Sequence, residues 1–378
     1  MLKNIINTLV LLSLTALSAH AADTVSPPTL DTKAFMLRDF NSGKIVAAQN
    51  GDSAVEPASL TKVMTAYLSF KALKNGSIKL TQTLPVSEKA YKVEGSKMFI
   101  ERDVPVTVDE LLHGMIIQSG NDASITLAEG IAGDEENFAK LMNQQAEKLG
   151  MKHSHFMNAT GLPNPQHSTT AMDLSLLAAA LIRDFPTEYK KYYSQKEYRY
   201  NNITQPNRNR LLFLDPFVDG MKTGHTETAG YCLIASAKRE NTRFISVVLG
   251  TKSEAARAIE SQKLLNFGFQ FFDSHLIYKQ NQIIKTLKVW KGEENEVVAT
   301  VANDLFITIP KGAYSKIVAT MQTQKPLIAP LKKGQKIGSV KFTLDGVIVD
   351  ERDLVAAKDV PLSNLFGRAW DSIKLNFE

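Results

Sequence analysis

A chain of 378 residues with one cysteine, Cys232, can form no intrachain disulfide and no cysteine-rich metal site. Embedded in AGYCLIASA, the thiol reads as a small buried strand residue. Excess charge of one sign is also scarce. There are 44 Lys and Arg against 39 Asp and Glu, a net of +5, and no basic cluster carries interleaved aromatics, which excludes nucleic acid as a partner. His153 and His155 have no acidic or histidine companion at ligand spacing, so they read as a solvent-facing loop and not as a metal pair. Glycine-rich phosphate and dinucleotide loops are missing, and no cofactor is implied. Internal repeats and low-complexity tracts are missing as well. Outside the N-terminus, no apolar run approaches the roughly 20 residues that a membrane span requires.

What remains is a globular composition, 44% apolar and 22% charged, in a chain long enough for two or three domains. Lys3, an apolar run from Leu9 to Leu17, and Ala19-His20-Ala21 read as a secretory signal over 1–21, with Ala22 as the mature N-terminus. After a proline-containing lead, apolar runs at 34–37 and 45–48 around Asn41-Ser42-Gly43 predict a hairpin. Helices are expected over 56–70, from a Thr107/Glu110 capping box to about Ser119-Gly120, and over 122–131, 134–149 and 170–183. VDGMKTG, YCLIASA and FISVVLG predict strands, followed by a helix to about residue 273 with Phe269, Phe271 and Phe272 in the core. Helices in the middle and strands at both flanks predict an α+β domain over 22–275. Short β-branched segments such as LFITIP, KIVATM and KIGSVKFTL then predict a small all-β domain over 276–359.

The stretch EPASLTKVMTAYLSF, residues 56–70, sets Ser59 and Lys62 three apart at the start of a helix with an apolar stripe of Leu60, Val63, Met64, Tyr67 and Leu68. Residues three apart share a helix face, which brings the amine within reach of the hydroxyl. An N-cap serine followed by a solvated lysine would look the same. Two later motifs separate these readings: Ser119-Gly120-Asn121 at a helix end and Lys222-Thr223-Gly224 in a strand. The ordered set S-x-x-K, S-x-N, K-T-G is specific where each member alone is weak. A serine hydroxyl needs a base to take its proton, and Lys62 is the nearest candidate. Moving a lysine from about 10.4 to about 7 takes on the order of 4 kcal/mol. Partial burial and a second cation push that way, Lys222 being the expected one.

With these motifs the chain resembles the active-site serine penicillin-binding proteins and β-lactamases. GMKTGHTETAGYCLIASA, ISVVLGTKS and the C-terminal β segments resemble the D-alanyl-D-alanine carboxypeptidases in particular. The resemblance implies a β-lactamase/DD-peptidase-like catalytic domain, an antiparallel sheet with a helical cluster. It implies a serine peptidase that removes the terminal D-alanine from peptidoglycan stem peptides and is trapped by β-lactam antibiotics as an acyl-enzyme. Ser59 is then the nucleophile and Lys62 the candidate base, with the identity of the acylation base left open. Ser119 relays the proton to the departing D-alanine, and Asn121 orients the substrate amide. The backbone N–H groups of Ser59 and His225 form the oxyanion hole. Lys222 and Thr223 line the substrate strand, where Gly224 lets substrate approach the backbone closely. Arg257 is the candidate reader of the free C-terminal carboxylate, and Arg208 the second candidate.

Two rival functions are weaker. A β-lactamase of class A would carry Glu-x-x-Leu-Asn to activate water, and no such pattern lies between Asn121 and Lys222. A non-catalytic penicillin-sensing protein of the cell wall has no reason to keep Ser59, Lys62, Ser119, Asn121 and Lys222 together. Finally, 360–378 places Leu362, Leu365, Phe366, Ala369, Trp370, Ile373 and Phe377 on one helical stripe. With Arg368, Asp371 and Lys374 inside, it predicts an interfacial membrane helix and not a span, the alternative being a helix docked back on the β domain. The resemblance implies a periplasmic enzyme held peripherally on the outer face of the cytoplasmic membrane by this helix.

Overall fold

In the computed structural model, residues 25–377 are described; the expected signal segment lies outside them. The predicted hairpin forms as β1 (Ala34–Asp39) and β2 (Ile45–Gln49), turning through Gly43 at φ +77°. A single 3-10 turn, Ala58–Thr61, leads into α1 (Lys62–Lys74). The Thr107/Glu110 capping box starts α2 (Val108–Ile117), the Thr107 side chain accepting from Glu110 N and the Glu110 carboxylate accepting from Thr107 N. Then come α3 (Asn121–Ala132), α4 (Glu135–Lys148) and α5 (Ala171–Asp184). Strands β3 (Val218–Thr226), β4 (Gly230–Arg239) and β5 (Thr242–Thr251) precede α6 (Glu254–Phe271).

These strands make one antiparallel sheet in the order β2-β1-β5-β4-β3. Both faces are covered. Met36, Ile234, Ile245 and Val247 pack against α1 and the helical cluster, while Phe35, Leu37, Leu233 and Phe244 pack against α6. Burial on two faces is why YCLIASA and FISVVLG read as apolar runs and not as alternating strands.

One expectation fails instructively. The opening helix is not amphipathic, because every residue of α1 from Lys62 to Phe70 is buried. It is the central helix of the domain, wrapped by α2, α3, α4 and α5. Nor does Ser59 cap it: the serine sits in the 3-10 turn ahead of α1, and Thr61 at the N-cap makes no side-chain cap bond.

The smaller unit begins without a break. Strand β6 (Phe272–Tyr278) starts at the residue that follows α6, so residue 275 falls inside a strand. Next come β7 (Lys285–Lys288), β8 (Glu296–Thr300), β9 (Leu305–Pro310), β10 (Ile317–Thr323), β11 (Lys336–Leu344) and β12 (Val347–Ala356). They form a β6-β9 pair and a five-stranded sheet ordered β7-β8-β12-β11-β10, around a separate core that includes Val297, Ile307, Ile337, Phe342 and Leu354. The architecture is thus an α+β domain followed by a β domain. The β1–β2 turn joins them: Lys44 Nζ donates to Thr308 O at 3.0 Å, and Arg352 donates to Ser42 O at 2.8 Å.

The chain ends in α7 (Leu365–Leu375), shorter than expected. Val360 and Leu362 are drawn into bridges with Leu331 and Gly292, so Leu362 lies before the helix and not on its stripe. The helix meets the β domain with its polar side: Asp371 accepts from Lys291 N at 2.6 Å. Its apolar stripe points away, with Phe366 88%, Trp370 59% and Ile373 52% exposed. No described helix is long and apolar enough to cross a membrane.

Candidate active site

The nucleophile candidate is held by a turn that two glycines make room for. Ala58 takes φ +48°, a left-handed conformation unusual for alanine, and Leu60 N closes the turn on Pro57 O at 3.1 Å. On one side lies Gly161, at φ +82°, where a Cβ would stand 1.8 Å from Ala58 O. On the other lies Gly224 of β3, where a Cβ would meet Pro57 O and Leu60 N at 3.2 Å. Gly224 therefore serves the close approach of the chain's own serine-bearing turn.

Lys62 is the first residue of α1 and has no solvent exposure. Its ammonium donates to Ser59 Oγ at 3.0 Å, to Asn121 Oδ1 at 2.7 Å and to the carbonyl of Thr160 at 2.6 Å. All three donor directions of an ammonium are thereby used. Burial pushes the amine down to about 7, with Arg208 as the cation that adds to the effect and Asp122 and Glu135 opposing it. The expected partial burial is complete burial. Arg208 is a cation the sequence did not point to in this role, and Lys222, the one it did point to, also repels Lys62.

Ser119 stands between α2 and α3 at φ +64°, and its hydroxyl accepts from Lys222 Nζ at 2.9 Å. Lys222, on β3, also donates to Thr223 O at 3.0 Å. Burial first, then the charges of Lys62, Arg208 and Arg257, hold Lys222 well below the usual lysine range. Asn121 opens α3; its Nδ2 donates to Glu94 O at 2.7 Å, fixing the amide so that the oxygen faces Lys62. Ser59, Lys62, Asn121, Ser119 and Lys222 thus converge from the 3-10 turn, α1, α3 and the junction before it, and β3.

His225 follows Gly224 near the end of β3, its exposed ring stacked on Tyr231 with centroids 4.0 Å apart. The two arginines differ. Arg257 on α6 is 3% exposed, its Nη1 3.4 Å from Gly224 O and its Nη2 3.3 Å from Glu254. Arg208 is exposed, and among the described residues no hydrogen bond or ion pair holds it, yet its charge reaches Lys62, Lys222 and Arg257.

Sequence reasoning missed three supports. The Thr160 carbonyl comes from a loop in which Asn158 Oδ1 accepts from Thr160 N and Gly161 N, an Asx turn written in the sequence as NATG. Asp122 accepts from Met98 N, Phe99 N and Ile100 N and so pins the loop facing Asn121. Glu135 accepts from Ala159 N at 2.9 Å and pairs with Lys89 at 2.7 Å. Both carboxylates close enough to act on Lys62 are therefore committed to holding loops. Neither is held over the serine as a base for water.

A serine on a tight turn, a buried lysine bonded to it, and a second serine, between two helices, bonded to a lysine on the facing strand define the serine penicillin-binding class of acyl-transfer sites. The chain belongs to the D-alanyl-D-alanine carboxypeptidases of the peptidase S11 family, whose profile matches residues 21–253. A second profile, the C-terminal domain of penicillin-binding protein 5, matches residues 272–362. The chain is 43% identical over 375 residues to the D-alanyl-D-alanine carboxypeptidase DacC of Escherichia coli, covering 97% of this chain and 94% of that one. It is 41% identical over 372 residues to DacA of Haemophilus influenzae, covering 96% and 94%. The crystal structure of penicillin-binding protein 5 from Haemophilus influenzae superposes with a TM-score of 0.86 at 42% identity, over 89% of this chain and 99% of that one. This protein is a serine-type carboxypeptidase of that class.

Proposed function

We propose that the enzyme removes the terminal D-alanine of peptidoglycan stem pentapeptides through an acyl-enzyme on Ser59. The bond between Lys62 Nζ and Ser59 Oγ carries this reading, since an amine buried and pushed to about 7 can accept the hydroxyl proton near neutral pH. As Ser59 Oγ attacks the penultimate D-alanine carbonyl, its proton passes to Lys62. The tetrahedral oxyanion is met by the backbone N–H groups of Ser59 and His225. The Ser119–Lys222 pair then delivers a proton to the departing D-alanine nitrogen, and the peptide bond breaks. Lys62 hands the proton it took from Ser59 to the Ser119–Lys222 pair, replacing the one given to D-alanine, and is neutral again. In deacylation a water molecule loses a proton to Lys62 and attacks the ester carbonyl, and Lys62 returns that proton to Ser59 Oγ as the ester bond breaks. Asn121 orients the substrate amide, and Lys222, Thr223 and Gly224 present the strand edge. The exposed Arg208 guanidinium meets the free carboxylate, with Arg257 supplying a fixed charge beneath the end of β3. β-Lactams follow the same first step and remain on Ser59.

The same reading places the protein in the periplasm, attached peripherally to the outer face of the cytoplasmic membrane. What supports it is α7: a helix docked by its polar side leaves Phe366, Trp370 and Ile373 facing outward, as an interfacial helix must. The experiment on the catalytic reading combines labelled penicillin with a diacyl-Lys-D-Ala-D-Ala peptide. The label maps to Ser59, and Ser59→Ala loses both the label and D-alanine release. A Ser59→Ala variant that still turns over peptide would overturn it.

A further inference from the structure

Shortly before the exposed Arg208 the chain forms a two-stranded hairpin, Glu197–Tyr200 and Ile203–Pro206, that belongs to neither large sheet. A lone pair of strands is marginally stable in water, so its placement depends on what it is tied to. Tyr198 and Gln205 face each other across the strands as one rung. Gln118, the residue before Ser119, bonds both members of that rung: its Nε2 donates to Tyr198 O at 3.2 Å, and its Oε1 accepts from Gln205 Nε2 at 3.0 Å. Gln205 Nε2 also donates to Lys97 O at 3.2 Å, in the loop that Asp122 pins. Gln118 is 1% exposed, and a buried amide deprived of such partners is costly, which makes the tie a firm one. Beyond Gln205, Arg208 stands between two buried asparagines. Asn207 N donates to Lys196 O at 2.6 Å and its Nδ2 to Gln195 O at 2.9 Å, while Asn209 N donates to Asn207 Oδ1 at 2.9 Å. These bonds fix the backbone of Arg208 to the hairpin, and Gln118 fixes the hairpin to the junction that carries Ser119.

We propose that Gln118 is a positioning residue that sets the spacing between Arg208 and the Ser119–Lys222 pair, and through it the selection of peptides with a free C-terminal carboxylate. The proposal rests on the reading that Arg208 meets that carboxylate. The departing D-alanine carries its carboxylate on the carbon next to the nitrogen that is protonated. Proton donor and carboxylate reader therefore serve one small molecule, and their spacing has little slack. A misplacement of about 1 Å can cost on the order of a hundredfold in rate. An amide-capped peptide offers no carboxylate and does not sense that spacing.

The test measures kcat/KM for a diacyl-Lys-D-Ala-D-Ala peptide and for its C-terminal amide, in full-length mature protein and in its Gln118→Met, Arg208→Ala and doubly substituted variants. Methionine keeps the length of glutamine and loses both of its hydrogen bonds. Gln118→Met is expected to lower the ratio of free acid to amide by about threefold or more. In the double variant the ratio should fall no further than in Arg208→Ala alone, because both substitutions remove the same contact. A merely structural role would slow both substrates equally and leave the ratio unmoved; an independent one would multiply with Arg208→Ala. An unmoved ratio in Gln118→Met, or multiplied losses in the double variant, overturns the proposal. If Gln118→Met does not fold, Gln205→Ala, which cuts the tie from the half-buried hairpin end, takes its place under the same criteria. Arg208→Ala separates the two readings. An unmoved ratio there removes Arg208 as the carboxylate reader and the proposal with it, whereas a lowered ratio there beside an unmoved one in Gln118→Met removes the proposal alone.

Discussion

Lys62 has no contact with solvent, and in the proposed cycle it takes and returns a proton, so its protonation equilibrium would set the pH range of the enzyme. With the amine near 7, the neutral form dominates above that pH; below it, the competent fraction falls about tenfold per unit. The second-order rate of penicillin acylation is therefore expected to rise through pH 7 and level off above it. Arg208 lowers this value, so Arg208→Ala should move the midpoint to higher pH, slowing acylation at pH 6.5 and nearly restoring it at pH 9. An unmoved midpoint would mean that solvent screens the guanidinium. The two arginines also divide by substrate. Arg208→Ala is expected to cut turnover of peptides ending in free D-alanine about tenfold or more and to spare amide-capped analogues. Arg257→Ala should slow both, because its guanidinium also holds the carbonyl of Gly224. Equal losses for Arg208→Ala on the two substrates would remove it as the carboxylate reader.

Among the elements, the loop 96–100 depends on one side chain. Asp122 is 1% exposed and accepts three backbone N–H groups of that loop, while Phe99 within it holds φ +67°. Asp122→Ala leaves those donors unpaired and is expected to cost about 3 kcal/mol in urea denaturation, with slower acylation as Asn121 loses its facing wall. A loss under about 0.5 kcal/mol would show that the loop is held elsewhere. Asp122 also illustrates what the sequence could tell. The capping box at Thr107, the paired strands around Cys232 and the three motifs were legible because each is a local pattern. Asp122 reaches residues 22 to 24 positions away, and Thr160 meets Lys62 across 98; no local pattern encodes those distances. The amphipathic reading of 56–70 failed for a related reason: periodicity reports one buried face, and α1 is buried on every side.

At the scale of the whole molecule, attachment should be separable from catalysis, since Ser59 and α7 belong to units with independent cores. Mature protein ending at Asp359 is expected to leave the membrane fraction and keep its D-alanine release. High salt should not extract the full-length form, because burial of Phe366, Trp370 and Ile373 is not screened by ions. Extraction by salt, or a truncated protein that still sediments with membranes, would place the anchor elsewhere. The segment before α7 is stitched to the β domain and does not hang free. Val360 pairs with Leu331, Leu362 with Gly292, and Ser363 N donates to Lys291 O at 2.9 Å. Such an attachment acts as a bracket and not a leash. With the helix in the bilayer, the mouth of the active site travels at one height and one inclination above the membrane, and its search for substrate becomes lateral diffusion within a single layer of wall. A stem peptide outside that layer is out of reach whatever its affinity, so altitude joins chemistry as a criterion of selection.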